Sequence, residues 1–565
     1  MHSLHYTDPK VLALVGQYFR KAGSDGIMPT RISKPAEVQA HWHVAFEADA
    51  PDVRARAYTN AIVTDENLMP MIRRWEAMTL AIDRRVTAVA NKTIPPVRYE
   101  RYAEEFAMLV VPEPNSVAPY DLDYVVEQMR KPSQSLAAHA VAETIDMMPK
   151  HLIESFMKNE ATNKHGRIIS AWADARFLVK YSAFTLAIRD SVLHGEHNKH
   201  WFMPGRTPPE LAEAVTEYVR LVHEWLEGDF DNMDGRVSAW LQSNVCGRIY
   251  MRACDPAYRK ELAEYLAMEI KCPARTKRFG FAYESGEGVK TGSPRTCDGN
   301  TCINGFVMYC SIRQAMPWLT KEQAFELLGL CFGDDGLWEQ RFKKWYNKVA
   351  RDLGMVVKVE PYNPELGVTF LARVFPDPHN STTSFQDPLR TWRKLHITTR
   401  DPNIPLATAA YDRLTGYLTT DGLTPVTSDY AKAVLRVYAQ TVENGEVRDS
   451  RISVNTEKPY WFLSDGAWPQ AAGDYDLMLA CIGARTGFEP DTLRILIAKL
   501  NEVNDPWAFP TLDRGEFEPS YREHVDGDGN IIGEPVGPLF GSLNSGSLNR
   551  DTNAIHLRAG QIVSG

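Results

Sequence analysis

The sequence predicts an α+β fold in which a strand-bearing centre lies between two helical flanks. Three observations predict it. Apolar residues recur at helical spacing before about residue 225, short apolar runs broken by glycine turns fill about 225–375, and helical spacing returns beyond Pro376.

The N-terminal flank is read first. Leu68, Met71, Ile72, Trp75, Met78, Leu80 and Ile82 follow a broadly helical period within 66–92, and Pro95-Pro96 ends the run. A second amphipathic helix is expected over 208–227, with Leu211, Val215, Val219, Val222 and Leu226 on one stripe. On the C-terminal side, Ser428 is placed to cap a helix running to Val442, with Tyr430, Val434, Val437 and Tyr438 inward. A further helix is expected over 491–500. From Asp513 onward Gly, Ser, Asn and Pro dominate without periodicity, which predicts a loosely packed tail.

Composition excludes several classes. At 565 residues the chain is too long for one small domain and suits several subdomains around a shared core. The net charge of −9 means that any contact with nucleic acid must come from local basic patches. None of the eight cysteines forms a C-x-x-C pair, so they read as reduced core thiols rather than a zinc site or a disulfide framework. No run of about 18 apolar residues exists to form a transmembrane helix. The first ten residues lack the apolar core of a secretion signal. Membrane attachment would therefore come from a partner or from another segment.

Four segments carry chemistry. Asp229-Phe230-Asp231-Asn232-Met233-Asp234-Gly235 joins an expected strand end, presenting Asp229, to an expected helix over 236–242. A calcium loop is excluded because Met233 and Trp240 occupy positions that need ligands; a plain acidic turn remains open. Gly333-Asp334-Asp335-Gly336 lies between two apolar runs, as at the tip of a hairpin, and an ordinary Asp-Gly turn would look the same. Hard cations want such carboxylates from rigid positions on neighbouring strands. Residues 291–300 form a Gly/Pro loop leading into an apolar helix over 303–312. Thr296 and Asn300 lie four apart on one helical face, where a capped helix start would also place them. Lys158, Glu160, Lys164 and Arg167 belong to a basic segment over 158–169 that could embrace a triphosphate or simply face solvent.

In this order the four segments resemble motifs F, A, B and C of viral RNA-dependent RNA polymerases, over about 157–375. Asp229 and Asp234 reproduce D-x4-D. Thr291-Gly292, Thr296 and Asn300 reproduce [ST]-G-x3-T-x3-N, and Gly333-Asp334-Asp335 is the G-D-D. The wording from Asp229 to Trp240, followed by Gly292-Ser293-Pro294, most resembles the nodavirus and noda-like replicases of positive-strand RNA viruses.

The resemblance implies a right hand of fingers, palm and thumb with an antiparallel palm sheet. Residues 1–224 would be an N-terminal extension and fingers, 225–375 the palm with an inserted fingers segment, 376–512 a helical thumb, and 513–565 the tail. It implies RNA-templated RNA synthesis from ribonucleoside triphosphates by two-metal nucleotidyl transfer. Two Mg²⁺ ions, replaceable by Mn²⁺, would sit on Asp229 and Asp334 with Asp335 assisting. Asp234, Thr296 and Asn300, with Thr291 and Gly292 in the same loop, would select the ribose. Lys158, Lys164 and Arg167 would contact the triphosphate, and Glu160 would orient one of these cations. Lys358 resembles the general acid of motif D, and 368–373 resembles motif E, the primer grip.

Template RNA, product RNA and nucleotides are the implied partners, together with other viral replication proteins. Family members of this type carry a long capping and membrane-binding region, and 157 residues before Lys158 are too few for all of it. Capping and membrane anchoring are therefore expected to be absent or to come from another polypeptide. The expected location is the host cytoplasm, in a membrane-associated replication complex held through partners. Lys271, Arg275, Lys277 and Arg278, and then Arg341, Lys343, Lys344, Lys348 and Arg351, stand where a template channel needs cations; a solvated face would use the same pattern.

Three other readings compete. A reverse transcriptase would share the aspartates but usually gates the 2′-hydroxyl with an aromatic ring, where this sequence offers Asp234 and Asn300. An RNA-binding scaffold with an inactive palm would be expected to have lost carboxylates, and all are present. A penicillin-binding enzyme would match Ser155-Phe156-Met157-Lys158 and Lys290-Thr291-Gly292 but lacks a suitable motif between them. Gly286-Glu287-Gly288-Val289-Lys290 is also no phosphate-binding P-loop, because no glycine directly precedes the lysine.

Overall fold

The computed structural model describes residues 55–64, 70, 72–129, 132–161, 166–222, 224–401, 403–441 and 467–514, with two short strands at 524–525 and 531–532. Lys164 and nearly all of the expected tail lie outside the described residues.

The chain folds as expected around an antiparallel central sheet. Its strands run in the order Leu330–Phe332, Asp335–Glu339, Trp225–Phe230, Val357–Pro361, and every neighbouring pair is antiparallel. Side chains alternate between two cores. Leu226, Phe230 and Trp338 enter the largest core, whereas Trp225, Leu330 and Leu337 enter a second one built on Leu211, Val215 and Val219. The first two strands form a two-residue hairpin in which Phe332 pairs with Asp335. Gly333 has φ +60°, the backbone demand of a primed turn, and a Cβ there would meet nothing within 4 Å. The glycine is needed for its conformation rather than for space.

Behind the sheet lie two helices, Thr296–Ala315 and Lys343–Asp352. The first is buried over most of its length, so it begins earlier and extends further than the apolar run 303–312 suggested. The helix expected over 208–227 instead ends at Leu221, and Trp225–Phe230 is a strand. Val222 and Leu226 continue the helical stripe, but the adjacent Trp225 and Leu226 are both fully buried, in different cores, as a two-faced strand allows. The expected 66–92 helix is Trp75–Ile82 followed by a π-helical turn, Asp83–Thr87; residues 65–69 and 71 are outside the described set. In place of one helix over 236–242, Met233–Arg236 is followed by a second start at Ser238, whose side chain accepts from the Leu241 amide. The C-terminal helices are Thr427–Thr441 and Pro490–Glu502, close to expectation, but Ser428 lies within the first turn rather than capping it, and Val442 is outside the described residues.

A second sheet is mixed. Ile153–Met157 pairs antiparallel with Ile168–Trp172 and parallel with Pro273–Thr276, which continues to Ala282–Glu284. Its hairpin carries the 158–167 loop. A third core combines Trp392, Tyr430, Val434, Leu479, Ile482 and Leu496 with Tyr58, Ile62 and Val63. Arg56–Ala57 pairs with Ile397–Thr398, so an early stretch of chain is built into the C-terminal helical core. No helix among the described residues is long and apolar enough to cross a membrane.

Candidate active site

The carboxylates meet through strand register. Asp229 is the Cα partner of Asp335 on one side and of Lys358 on the other. The Phe230 amide donates to the Asp334 carbonyl at 3.4 Å, which sets the hairpin tip beside Asp229. Asp229 and Asp334 are exposed and Asp335 is half-buried. Burial, then the negative charges of Asp334 and Asp229, push the Asp335 carboxyl up to about 7. Three acids crowded at one sheet end form a donor set of the kind that suits hard divalent ions. Among the described residues no three His, Cys, Asp or Glu side chains are preassembled as a metal cage.

Glu227, two residues before Asp229 on the same sheet face, was not anticipated. It accepts from the Thr369 amide at 2.7 Å and is pushed up to about 7, chiefly by burial. This bond ties the central sheet to the strand Val368–Phe370, in the segment expected to act as primer grip. Arg373 of that segment is buried and paired with Asp421 at 2.8 Å, so it holds the structure together rather than facing solvent. Lys358 is half exposed, with its Nζ 3.6 Å from Asp231.

A cavity of about 680 Å³ opens beside the hairpin, lined among others by Asp234, Asn300, Asp334, Asp335, Lys158 and Arg167. Asn300 Nδ2 donates to Asp234 Oδ1 at 2.7 Å, and Asn300 Oδ1 is buried with no hydrogen-bond partner. Burial raises the Asp234 carboxyl, and the Asn300 amide opposes that shift. Thr296 turns its hydroxyl proton to the Lys290 carbonyl at 2.8 Å. It therefore joins Asp234 and Asn300 in space while spending its proton on the backbone. Thr291 lines the cavity. Gly292 docks the loop instead: its amide donates to the Ser170 carbonyl at 2.9 Å, and a Cβ there would stand 2.8 Å from that oxygen.

The basic segment closes on itself. Glu160 receives Lys158 Nζ at 2.9 Å and Arg167 at 2.6 Å, so it orients both cations rather than one. Sequence reasoning missed Arg85, which lies on the cavity wall and donates to Asn232 Oδ1. Asn232 itself sits in the left-handed region at φ 49°, turning the chain between Asp229 and Asp234. No local signal marks Arg85, because its partner is far along the chain. Among the other cations considered, Arg275 pairs with Glu154, Arg341 with Glu339 at 2.6 Å and Lys348 with Asp352 at 2.5 Å. Ser155 is fully buried and hydrogen-bonded to Tyr283, which removes it as a nucleophile.

The loop before the long helix is anchored by a buried ion pair. Arg295 meets Glu269 at 2.8 Å and Gln242 at 2.9 Å, and the Tyr181 hydroxyl donates to Glu269 at 2.7 Å.

No family model matches the chain. It is 51% identical over 565 residues to the RNA-directed RNA polymerase of Nodamura virus (strain Mag115), which covers 100% of this chain and 53% of that protein. The RNA-directed RNA polymerase of Macrobrachium rosenbergii nodavirus is 48% identical over 559 residues, covering 99% of this chain and 52% of that protein. That of Flock house virus is 44% identical over 558 residues, covering 98% and 56%. The chain spans about half the length of the curated relatives it matches. A crystal structure of the RNA-dependent RNA polymerase of a human picorbirnavirus aligns with a TM-score of 0.49 at 14% identity, covering 74% of this chain and 86% of that one. Along essentially its whole length, the chain is similar, at 44–51% identity, to these nodavirus RNA-directed RNA polymerases.

Proposed function

We propose that this chain carries out RNA-templated RNA synthesis. The 3′-hydroxyl of the growing strand attacks the α-phosphorus of a ribonucleoside triphosphate, the new phosphodiester forms and pyrophosphate leaves. The observation that carries the reading is the register of Asp229 with Asp335, with Asp334 at the adjoining turn, beside a cavity that also holds cations and the Asp234–Asn300 pair.

Asp229 and Asp334 would hold two divalent ions, Mg²⁺ or Mn²⁺, with Asp335 assisting. Ions held there would lower the pKa of the 3′-hydroxyl and neutralise the leaving pyrophosphate. Lys158 and Arg167, preset by Glu160, would bind the triphosphate; an ion-paired guanidinium retains donors for phosphate oxygens. Lys358 would hold the proton destined for pyrophosphate.

The bare Asn300 Oδ1 supports ribose selection. A 2′-hydroxyl would donate to it, whereas a deoxyribose would leave it buried and unpaired. The same atom favours RNA synthesis over reverse transcription. Template and product RNA would be the partners.

The test combines the purified chain, a defined RNA template, four labelled ribonucleotides and Mg²⁺ or Mn²⁺. Template-length product from the parent and none from a folded Asp334→Ala variant is the expected result. Equal product from both would reject the assignment, and RNA binding without any extension would favour the scaffold reading.

A further inference from the structure

Lys290 is buried, at 3% exposure, inside the loop that leads to the long helix. Its ammonium donates to the carbonyls of Gly286 and Gly288, each at 2.7 Å, and of Ser285 at 3.3 Å. Three protons meet three backbone oxygens of one short loop. Among the described residues no carboxylate pairs with it; Glu269, Glu287 and Cys272 supply only longer-range charge. The glycine-lysine stretch that resembles an imperfect P-loop thus turns its lysine onto its own carbonyls.

What the closed loop touches gives the lysine its meaning. The Val289 amide donates to the Asp234 carbonyl at 2.7 Å. A Cβ on Gly288 would stand 2.6 Å from that carbonyl oxygen and 3.0 Å from the Gly235 Cα, so only glycine lets the loop sit this close. On its other side, the Lys290 carbonyl accepts from Thr296 Oγ1 and from the Ser293 amide, both at 2.8 Å. The loop therefore spans from the backbone of Asp234 to the start of the helix that carries Asn300. An uncompensated buried ammonium is expensive, and well-packed apolar residues usually fill such a place at less cost. Keeping it here fits a need for position rather than for stability.

We propose that Lys290 is a positioning residue for ribose selection: by gathering three carbonyls it fixes the 285–290 loop, and Gly288 and Val289 then hold Asp234 against Asn300. The inference rests on the ribose-selecting role given above to Asp234 and Asn300. Released from the loop, Asp234 would no longer fix the Asn300 amide, and Asn300 Oδ1 would lose its aim at a 2′-hydroxyl.

The experiment measures kcat/KM for a ribonucleotide and its 2′-deoxy analogue, same base and same template, in the full chain. Lys290→Met removes the ammonium; Gly288→Ala keeps it but pushes the loop off Asp234. Asn300→Ala is the control for the underlying reading. The ribo-to-deoxy ratio is expected to fall about tenfold in both loop variants, the loss typical of a removed supporting contact. A general loss of structure would lower both substrates alike and leave the ratio in place. A ratio kept in both loop variants while Asn300→Ala lowers it overturns the role of Lys290 and spares the ribose reading. A ratio kept even in Asn300→Ala removes the reading and the inference together. If Lys290→Met does not fold, Gly288→Ala decides alone.

Discussion

Two acids five residues apart are held in opposite ways. Asp229 stands exposed at the end of a strand, and its position follows from register with Asp335 and Lys358. Asp234 lies in a short helix, its carboxyl fixed by Asn300 and its carbonyl by Val289. The first is placed by backbone pairing. The second is placed by a chain of side-chain and loop contacts reaching to Lys290 and Arg295. On the proposed reading, the groups that would grip ions are mounted on strand pairing, and the groups that would read a sugar are mounted on a network whose parts can be removed one at a time.

The largest effect should come from the strand-borne acids. Asp229→Ala and Asp334→Ala should each lower extension by roughly 10³-fold or more, as loss of charge-stabilising groups does, while the melting temperature stays close to the parent's. A large drop in melting temperature would place these acids in the structural network and break the contrast. Next comes the anchor of the loop-borne network. Arg295→Met leaves Glu269 buried without its partner, which costs about 3–5 kcal/mol of stability in denaturant titration. An unchanged unfolding midpoint would show that the loop is held elsewhere.

Smaller is the change in sugar discrimination. Asn300→Ala should lower the ribo-to-deoxy preference about tenfold, or about 1.4 kcal/mol, without abolishing synthesis. Abolished synthesis with both sugars would instead make Asn300 part of the ion-gripping group. A final effect is one of pH. Burial draws the Lys290 ammonium down to about 8 from an ordinary 10.5. Between those values the unfolded chain keeps a proton that the folded chain has lost, so the folded state gains on the unfolded one as pH rises. The parent should gain stability relative to Lys290→Met over that window, by at most about 1.4 kcal/mol per unit of pH. Parallel melting curves for the two proteins would contradict the burial of this charge.

The same contrast explains what could be read from the sequence. Gly333-Asp334-Asp335 announces itself because a hairpin turn has local chemistry, and Asp229 because a strand end precedes its acidic turn. The long helix, with Thr296 and Asn300 on one face, follows from its apolar run. Lys290 and Gly288 were visible as letters but not as a device, since the meaning of that loop lies in Asp234, more than 50 residues earlier. Arg85 reaches Asn232 from 147 residues away, and no spacing rule covers such a distance. A helical stripe is a poor guide where Val222 and Leu226 continue it into a strand buried on both faces. Tyr58, Ile62 and Val63 joined the C-terminal core for a reason no local pattern carries, the pairing of Arg56–Ala57 with Ile397–Thr398.

The most direct test of the carboxylate assignment is anomalous diffraction from crystals of the chain grown with Mn²⁺, template RNA and a non-hydrolysable ribonucleoside triphosphate. Two manganese peaks about 3.5–4 Å apart, held by Asp229 and Asp334, are the predicted result. Ordered nucleotide in the cavity with manganese bound to neither aspartate would contradict it.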